Sequence, residues 1–215
     1  MIIKTLVMGA LQVNNYLVIC EKTHDAVLID AGGDYNSTIK EAEKYNAKIK
    51  YLLNTHGHLD HIAGNYDIQT KAGAKVLIHK ADEFLVESLQ KQLAMYGMPN
   101  CETPKIDEFV EDGQIISVGE LIFKVIHTPG HSPGSVCYLT DNALFAGDTL
   151  FADSVGRTDL PGGSYEELEK SIKNKLFTLD EAIKVYPGHG PSTSIGHEKI
   201  NNPFFGRFAV AKPHS

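Results

Sequence analysis

Apolar residues in this chain occur mainly in short runs that are separated by turn-forming residues. Runs rich in Val, Ile and Tyr and bounded by Gly, Pro, Asn or Asp are typical of β-strands. The pattern predicts strands at IIKTLVM, NYLVIC, DAVLID, IKYLLN, KVLIH, QIISV, LIFKVIH, SVCYLT, NALFAGD and AIKVYP. These runs extend through most of the chain, so β-sheet is expected to form a large part of the fold.

Helical patterns are fewer and lie between the predicted strands. They cover Ser37–Tyr45, the residues after Asp60 to about Ala72, Lys80–Tyr96 and Ser164–Phe177. The third segment is expected to present one apolar face made of Leu85, Leu89, Leu93 and Tyr96. No internal repeat or linker-like tract separates the elements. The order therefore predicts one α/β (α+β) domain, in which two sheets pack face to face with helices outside.

Composition and charge narrow the class of protein. The chain has 215 residues, of which 42% are hydrophobic and 22% charged, as in ordinary globular proteins. A net charge of −7 argues against nucleic acid or an anionic membrane as the main partner. No apolar run approaches the roughly 18 residues of a membrane span, and the start lacks a clean signal-peptide cleavage site. Three widely spaced cysteines fit a reducing compartment, so we expect a cytoplasmic protein of unspecified oligomeric state.

Potential metal ligands are concentrated in NTHGHLDHIAG, residues 54–64. Three further stretches, TPGHSPG, LFAGDTLF and YPGHGP, present one His or Asp at a glycine-containing turn after an apolar run. Side chains at the ends of several strands can converge, whatever their separation in sequence. The candidate ligands are His56, His58, Asp60, His61, His131, Asp148 and His189.

This set of ligands suits a pair of metal ions. Imidazole and carboxylate groups bind Zn, Fe or Mn. Seven ligands are too many for one tetrahedral ion, but they fit two ions that share a carboxylate at a separation of roughly 3.5–4 Å. Asp60 and His61 are adjacent and are expected to diverge, which would serve a second ion beside the first. The remaining histidines are predicted to be structural or solvated; they are His24, His79, His127, His197 and His214. For His79, a position at the rim of the site is the alternative.

The motif HxHxDH, followed in order by isolated His, Asp and His residues, resembles the metallo-β-lactamase superfamily. The resemblance implies an αββα sandwich of two mixed sheets, with the metal site at one edge, covering residues 1–215 as a single domain. It assigns the first ion to His56, His58 and His131 and the second to Asp60, His61 and His189. Asp148 would bridge the two ions.

Two later stretches, GRTDLPGG (156–163) and YPGHGPSTSIGHEKINNPF (186–204), resemble the glyoxalase II branch and are nearest to its short bacterial forms. This resemblance implies hydrolysis of a small-molecule thioester such as S-lactoylglutathione by a hydroxide that bridges two divalent ions, with zinc favoured and iron or manganese possible. The C-terminal helical domain that helps longer members bind glutathione is not expected here. The glutathione part of the substrate is therefore an open question.

Roles for two residues follow from this resemblance. Asp60 would orient the hydroxide as well as bind metal, so it is the candidate catalytic residue. Arg157 would bind the peptide or carboxylate of the thiol carrier, for which its planar guanidinium is suited. A salt bridge with Asp159 or Asp153 is the alternative for that side chain.

Other functions stay open from the sequence alone. A glutathione persulfide dioxygenase of similar fold would use one iron held by His56, His131 and Asp148, all of which are present. A lactonase or another ester hydrolase of the superfamily is a further alternative. A protein that keeps metal only for stability is disfavoured, because a structural site usually closes with four ligands. Hydrolysis of a thioester is favoured because GRTD continues as LPGG and because a thiolate, with a pKa of roughly 8.5, can leave without a proton donor.

Overall fold

The computed structural model describes residues 1–210 of the chain. His214 and the last part of the predicted domain lie outside the described residues. The strands are β1 (Ile2–Met8), β2 (Val13–Ile19), β3 (Asp25–Ile29), β4 (Lys48–Leu53), β5 (Lys75–His79), β6 (Glu108–Val110), β7 (Ile115–Val118), β8 (Leu121–His127), β9 (Val136–Thr140), β10 (Ala143–Gly147), β11 (Leu150–Phe151), β12 (Ser154–Val155), β13 (Lys184–Pro187) and β14 (Thr193–Ser194).

The α-helices lie between and after these strands. They are α1 (Tyr35–Lys44), α2 (Leu59–Ile62), α3 (Asn65–Ala72), α4 (Glu83–Glu87), α5 (Leu89–Met95), α6 (Tyr165–Asn174) and α7 (Ile195–Asn201). Two 3₁₀ turns, Lys80–Asp82 and Leu176–Thr178, precede α4 and follow α6. Among residues 1–210, no helix has the length and apolar character needed to cross a membrane.

Two mixed sheets form the body of the fold. The first has the strand order β1-β2-β3-β4-β5-β6, with antiparallel pairing from β1 to β3 and parallel pairing from β3 to β6. The second has the order β14-β13-β10-β9-β8-β7, in which β10 and β13 are parallel and the other neighbours antiparallel. Strands β8, β10 and β13 therefore all run in the same direction.

The main apolar core lies between the two sheets. Alternate residues of β2, such as Tyr16 and Val18, pack there against Phe123, Tyr138 and Phe145 of the second sheet. The intervening residues of β2 point to the other side of the first sheet, where they pack with α1 and α3. Helices α6 and α7 cover the outer face of the second sheet. The layers are thus helix, sheet, sheet, helix, as the predicted αββα sandwich requires.

The predicted elements agree with this architecture, with corrections at the helices. All ten predicted strands are present; β6, β11, β12 and β14 were not predicted because runs of two or three residues carry no detectable period. The helix after Asp60 is two helices, because the amide of Gly64 donates to the carbonyl of Ala31 and the carbonyl of His61 accepts from the amide of Ala31, which interrupts the helical hydrogen bonds. The segment Lys80–Tyr96 is broken at Ser88, and Tyr96 is exposed rather than on the buried face with the leucines.

Candidate metal centre

The loops that carry the candidate ligands meet at one edge of the sandwich. His131, Asp148 and His189 follow β8, β10 and β13, whose carboxyl ends lie at the same edge of the second sheet because these strands run in one direction. The stretch 54–64 follows β4 of the first sheet. Strands β8, β10 and β13 of the second sheet and β4 of the first sheet therefore end close together. Residues that are far apart in sequence meet at this edge.

His56, His58 and His131 form one group of potential ligands. One nitrogen of each ring can be chosen so that all three atoms lie within 4.8 Å of one another. His58 Nδ1 lies 2.9 Å from His131 Nε2. His58 has an extended backbone, so it lies on the same side of the chain as His56 two residues before it. This group has the composition that the resemblance assigns to the first ion.

Asp60, His61 and His189 form a second group beside the first. Asp60 Oδ2 lies 3.2 Å from His189 Nε2 and 3.7 Å from His61 Nε2. The expected divergence of the adjacent residues Asp60 and His61 is therefore wrong for the ends of their side chains. Both lie in the single turn of α2, and the longer imidazole of His61 reaches back to the same point as the carboxylate.

Asp148 lies between the two groups. Its Oδ2 is 3.6 Å from His131 Nε2 and 3.6 Å from His189 Nε2, while its Oδ1 is 3.4 Å from His61 Nε2. A carboxylate at this position can contact ions in both groups. Gly188 makes room for it, because a Cβ added there would lie 2.1 Å from Asp148 Oδ1.

The chemistry of these side chains fits divalent metal ions. Four of their buried polar atoms have no hydrogen-bond partner among the described residues: His56 Nε2, His58 Nε2, His61 Nε2 and Asp148 Oδ1. Buried polar atoms normally have partners, since leaving one unpaired costs about 1–3 kcal/mol. Two mostly buried carboxylates, Asp60 and Asp148, also require positive charge nearby. Metal ions at this position would satisfy both requirements.

The protonation states of His56 and His58 favour ligation as well. Burial, together with the neighbouring histidines, lowers the pKa of His58 to about 3 and that of His56 well below its ordinary value, so both rings are neutral. Burial alone would raise the pKa of Asp148, but attraction to His61 outweighs it and lowers that pKa below its usual range. Burial opposes a charge on His61, yet Asp30, Asp148 and Asp60 raise its pKa well above normal. A metal ion bound at His61 Nε2, beside Asp60 and Asp148, would replace the proton on that nitrogen, while Nδ1 keeps its contact with Asp30.

Outer partners fix the orientation of the rings. His61 Nδ1 lies 2.8 Å from Oδ2 of Asp30, which also accepts a hydrogen bond from the hydroxyl of Thr55. Nδ1 of His131 donates to the main-chain carbonyl of Arg157 at 2.8 Å, which leaves Nε2 facing the site. Partners of this kind set the tautomer of a metal-binding histidine. Asp30, in a left-handed conformation with φ of 58°, was missed from the sequence, where LIDAGG shows only an acid at a strand end.

Asp82 joins the two loops of the first histidine group. It is fully buried and accepts hydrogen bonds from the amides of Gly57 and Gly134 and from the hydroxyl of Ser132. Burial raises the pKa of its carboxyl. In the sequence it lies inside the predicted Lys80–Tyr96 helix, where nothing marks it as a hydrogen-bond acceptor for two loops, so its role was not predicted.

Asp82→Ala is expected to lower the free energy of unfolding by about 3 kcal/mol, because two buried amides and a hydroxyl lose their acceptor. Denaturant unfolding of the variant and of Asp67→Ala, a matched change at an exposed aspartate, measures this loss. The control should differ from the parent by no more than about 0.5 kcal/mol. An Asp82 variant as stable as the control would show that the two loops do not depend on this carboxylate.

The salt bridge of Arg157 with Asp159 is confirmed, and the role of Arg157 in binding the substrate stays a prediction. Arg157 borders the cleft next to the ligands, and it also forms a two-point ion pair with Asp159, with N–O distances of 2.6 Å. The pair is exposed. His79 and His127 stack on each other at a centroid distance of 4.1 Å and do not line the cleft, so His79 lies away from the rim.

The cleft has a volume of about 510 Å³ and opens onto one side of the ligand groups. His58, Asp60, His131, Asp148 and His189 border it. His56 and His61 lie behind them and are buried. A small molecule in this cleft would therefore contact the site from the side of Asp60 and His189.

Comparison with known proteins agrees with this geometry. The sequence profile of the Metallo-beta-lactamase superfamily matches residues 8–189. Hydroxyacylglutathione hydrolase GloC from Haemophilus influenzae is 37% identical over 194 residues, which are 88% of this chain and 92% of GloC. The B3 metallo-beta-lactamase BLEG-1 superimposes with a TM-score of 0.88 at 35% identity, over 95% of this chain and 99% of its own. The protein TTHA1623 in a di-iron-bound form has a TM-score of 0.84 at 33% identity, over 93% and 98%.

These proteins are similar to the chain to nearly the same degree, although the names of GloC and BLEG-1 give different activities. Similarity of this kind identifies the fold and the general chemistry, which depends on divalent metal ions, but it does not select a substrate. The two mixed sheets, the grouped ligands and the profile match lead to one conclusion: the chain belongs to the metallo-β-lactamase superfamily of metal-dependent hydrolases.

Proposed function

We propose that this protein is a binuclear metal-dependent thioesterase, which hydrolyses a hydroxyacylglutathione-type substrate such as S-lactoylglutathione. One observation carries the proposal: a second group of ligands, Asp60, His61 and His189, lies beside the first and shares Asp148 with it. A site with one ion would have no use for this second group.

The three cysteines within the described residues are free, which fits a reducing compartment such as the cytoplasm.

The residues have separate tasks in this proposal. The first ion would be held by His56, His58 and His131. The second ion would be held by Asp60, His61 and His189, and Asp148 would contact both ions. Divalent ions at such a site lower the pKa of bound water to about 7 and polarise a carbonyl oxygen. Asp60 borders the cleft, so its carboxylate can accept a hydrogen bond from the attacking water and orient that water toward the acyl carbon.

The surroundings of the site favour a thiol leaving group. Among the described residues that line the cleft, the carboxylates are Asp60 and Asp148, both candidate ligands. An amide or β-lactam nitrogen needs a proton as it leaves, whereas a thiol with a pKa of about 8.5 leaves as the thiolate. The name of the GloC relative, a hydroxyacylglutathione hydrolase, supports the same substrate class.

The rival activity, oxidation of glutathione persulfide at one iron, would use His56, His131 and Asp148. It would not use Asp60, His61 and His189 as ligands, although one atom of each lies within 4.8 Å of the others, as in the first group. This difference makes the two activities distinguishable by experiment.

A paired assay tests the proposal. S-lactoylglutathione hydrolysis and oxygen consumption on glutathione persulfide are measured with the same metal-loaded preparation. We expect hydrolysis without oxygen uptake. Oxygen uptake in the absence of hydrolysis would replace the thioesterase by the dioxygenase.

Arg157→Ala is expected to raise KM for S-lactoylglutathione about tenfold with a smaller fall in kcat. The guanidinium borders the cleft but lies outside the ligand groups, so it can contribute to binding of a carboxylate without touching the reacting bond. The hydrogen bond that orients His131 goes to the main-chain carbonyl of Arg157, so the substitution does not remove it. Steady-state kinetics of this variant and of Arg207→Ala, a change at an exposed arginine, measure the effect. Equal KM values in both variants would show that Arg157 does not contribute to substrate binding.

A further inference from the structure

The segment formed by α4 and α5 has two faces with different partners. Val86, Leu89 and Leu93 are buried against Leu59 and Ile62. The opposite face borders the cleft. Its residues are Phe84, Ser88, Gln92 and, about one turn later, both Met95 and Tyr96. One side thus fastens the segment to the fold, and the other forms a wall of the cleft.

The polar side chains of this wall are already occupied. Gln92 Oε1 accepts a hydrogen bond from the amide of Leu59, and its Nε2 donates to the carbonyls of Leu85 and Gly57. The hydroxyl of Ser88 donates to the carbonyl of Leu85. Gln92 thereby supports the loop that carries His58, whereas Ser88 bonds to α4. They are not free to bind a ligand.

The remaining surface of the wall is exposed and mainly apolar, apart from the hydroxyl of Tyr96. Phe84, Met95 and Tyr96 expose 42%, 83% and 46% of their surface, and Leu11 across the cleft exposes 40%. Among the described lining residues the one Lys or Arg side chain is Arg157, which forms an ion pair with Asp159. It can bind at most one of the two carboxylates of a glutathione carrier, so most of the surface that the wall offers to a substrate is apolar. Large apolar side chains grouped around one cleft usually mark a binding site for an apolar ligand.

We propose that, among thioesters, the physiological substrate carries next to the reacting bond an apolar alkyl or aryl group that S-lactoylglutathione lacks, and that this group packs on Phe84, Met95 and Tyr96. The cleft volume of about 510 Å³ lies within the usual range of ligand pockets, about 300–1,000 Å³. The inference rests on the proposed function for the identity of that bond as a thioester. The apolar group can belong to the acyl part or to the thiol part.

Calorimetric binding of non-hydrolysable thioethers to the metal-loaded protein tests the inference and separates these two sources. One series is S-methyl, S-butyl and S-hexyl glutathione, in which the alkyl chain stands for the acyl group. The other is the methyl, butyl and hexyl thioethers of thioglycolic acid, in which it stands for the thiol carrier. We expect affinity to rise about two- to fourfold per methylene in at least one series. The series that shows the rise identifies the side of the bond.

Variants locate the effect on the wall. Met95→Ser should reduce binding of the hexyl compound at least threefold and leave the methyl compound unchanged, and Phe84→Ser should act in the same direction. Both side chains are exposed, so folding is not at risk. Ile122→Ser, at a residue that is 58% exposed on β8 and does not line the cleft, is the matched control.

Affinity that is independent of chain length in both series would overturn the inference. Unchanged hexyl binding in both wall variants would also overturn it. Because binding is measured without turnover, a protein that hydrolyses no thioester but prefers long chains would contradict the proposed function and leave this inference standing.

Discussion

Asp60→Asn is expected to lower thioester hydrolysis at least about a thousandfold while the fold stays intact. The substitution removes the negative charge of one candidate ligand in the second group, where Asp60 Oδ2 is 3.2 Å from His189 Nε2. It also replaces one carboxylate oxygen, which can orient and deprotonate a water, by an amide that donates hydrogen bonds. Loss of one positioned group in a transition state costs about 10²–10³ in rate, and loss of metal adds to this.

Steady-state kinetics and metal analysis of the purified variant measure the effect. Asp67→Asn, an exposed aspartate in the following helix, is the matched control and should keep full activity. Circular dichroism should be the same for both variants. Substantial hydrolysis by the Asp60 variant would remove this residue from the catalytic role that we assign to it.

Removal of metal by a chelator should abolish hydrolysis and leave both sheets folded. The three cores against and between the sheets consist of apolar side chains and contain none of the candidate ligands. Ligand binding stabilises the native state by about 4 kcal/mol when the free ion is at a thousand times its dissociation constant. We therefore expect a lower unfolding midpoint, an unchanged far-ultraviolet spectrum, and recovery of activity when metal is returned.

A metal that only stabilises the fold would give a different result. In that case the stripped protein would lose its sheets, and returned metal would restore the fold without hydrolysis of any thioester. Activity and far-ultraviolet circular dichroism recorded on the same stripped and restored samples distinguish the two outcomes.

The strands and the seven candidate ligands could be found in the sequence because each has a local pattern. Strands alternate with turn residues, and a His or Asp after an apolar run stands out without knowledge of its neighbours. Asp30 and Asp82 have no such pattern. Their roles depend on partners 25 to 52 positions away, namely the loops that begin at Thr55 and Ser132, and only the packed sandwich brings these together.

The wall of the cleft was predicted only in part. Leu85, Leu89 and Leu93 are buried as their spacing indicated. Tyr96 follows the same spacing from Leu93 only if the helix continues to that residue. The end of α5 at Met95 places Tyr96 at the cleft instead. A helical period identifies a face reliably only while the helix continues.

Titration of the stripped protein with zinc or ferrous iron tests the central claim, the binuclear site, most directly. Bound metal per chain and S-lactoylglutathione hydrolysis are measured in the same samples. Because Asp148 contacts both ligand groups, we predict that activity rises until about two ions are bound per chain and then stays constant. Full activity at about one ion per chain, or one iron that supports oxygen uptake on glutathione persulfide instead of hydrolysis, would contradict the account.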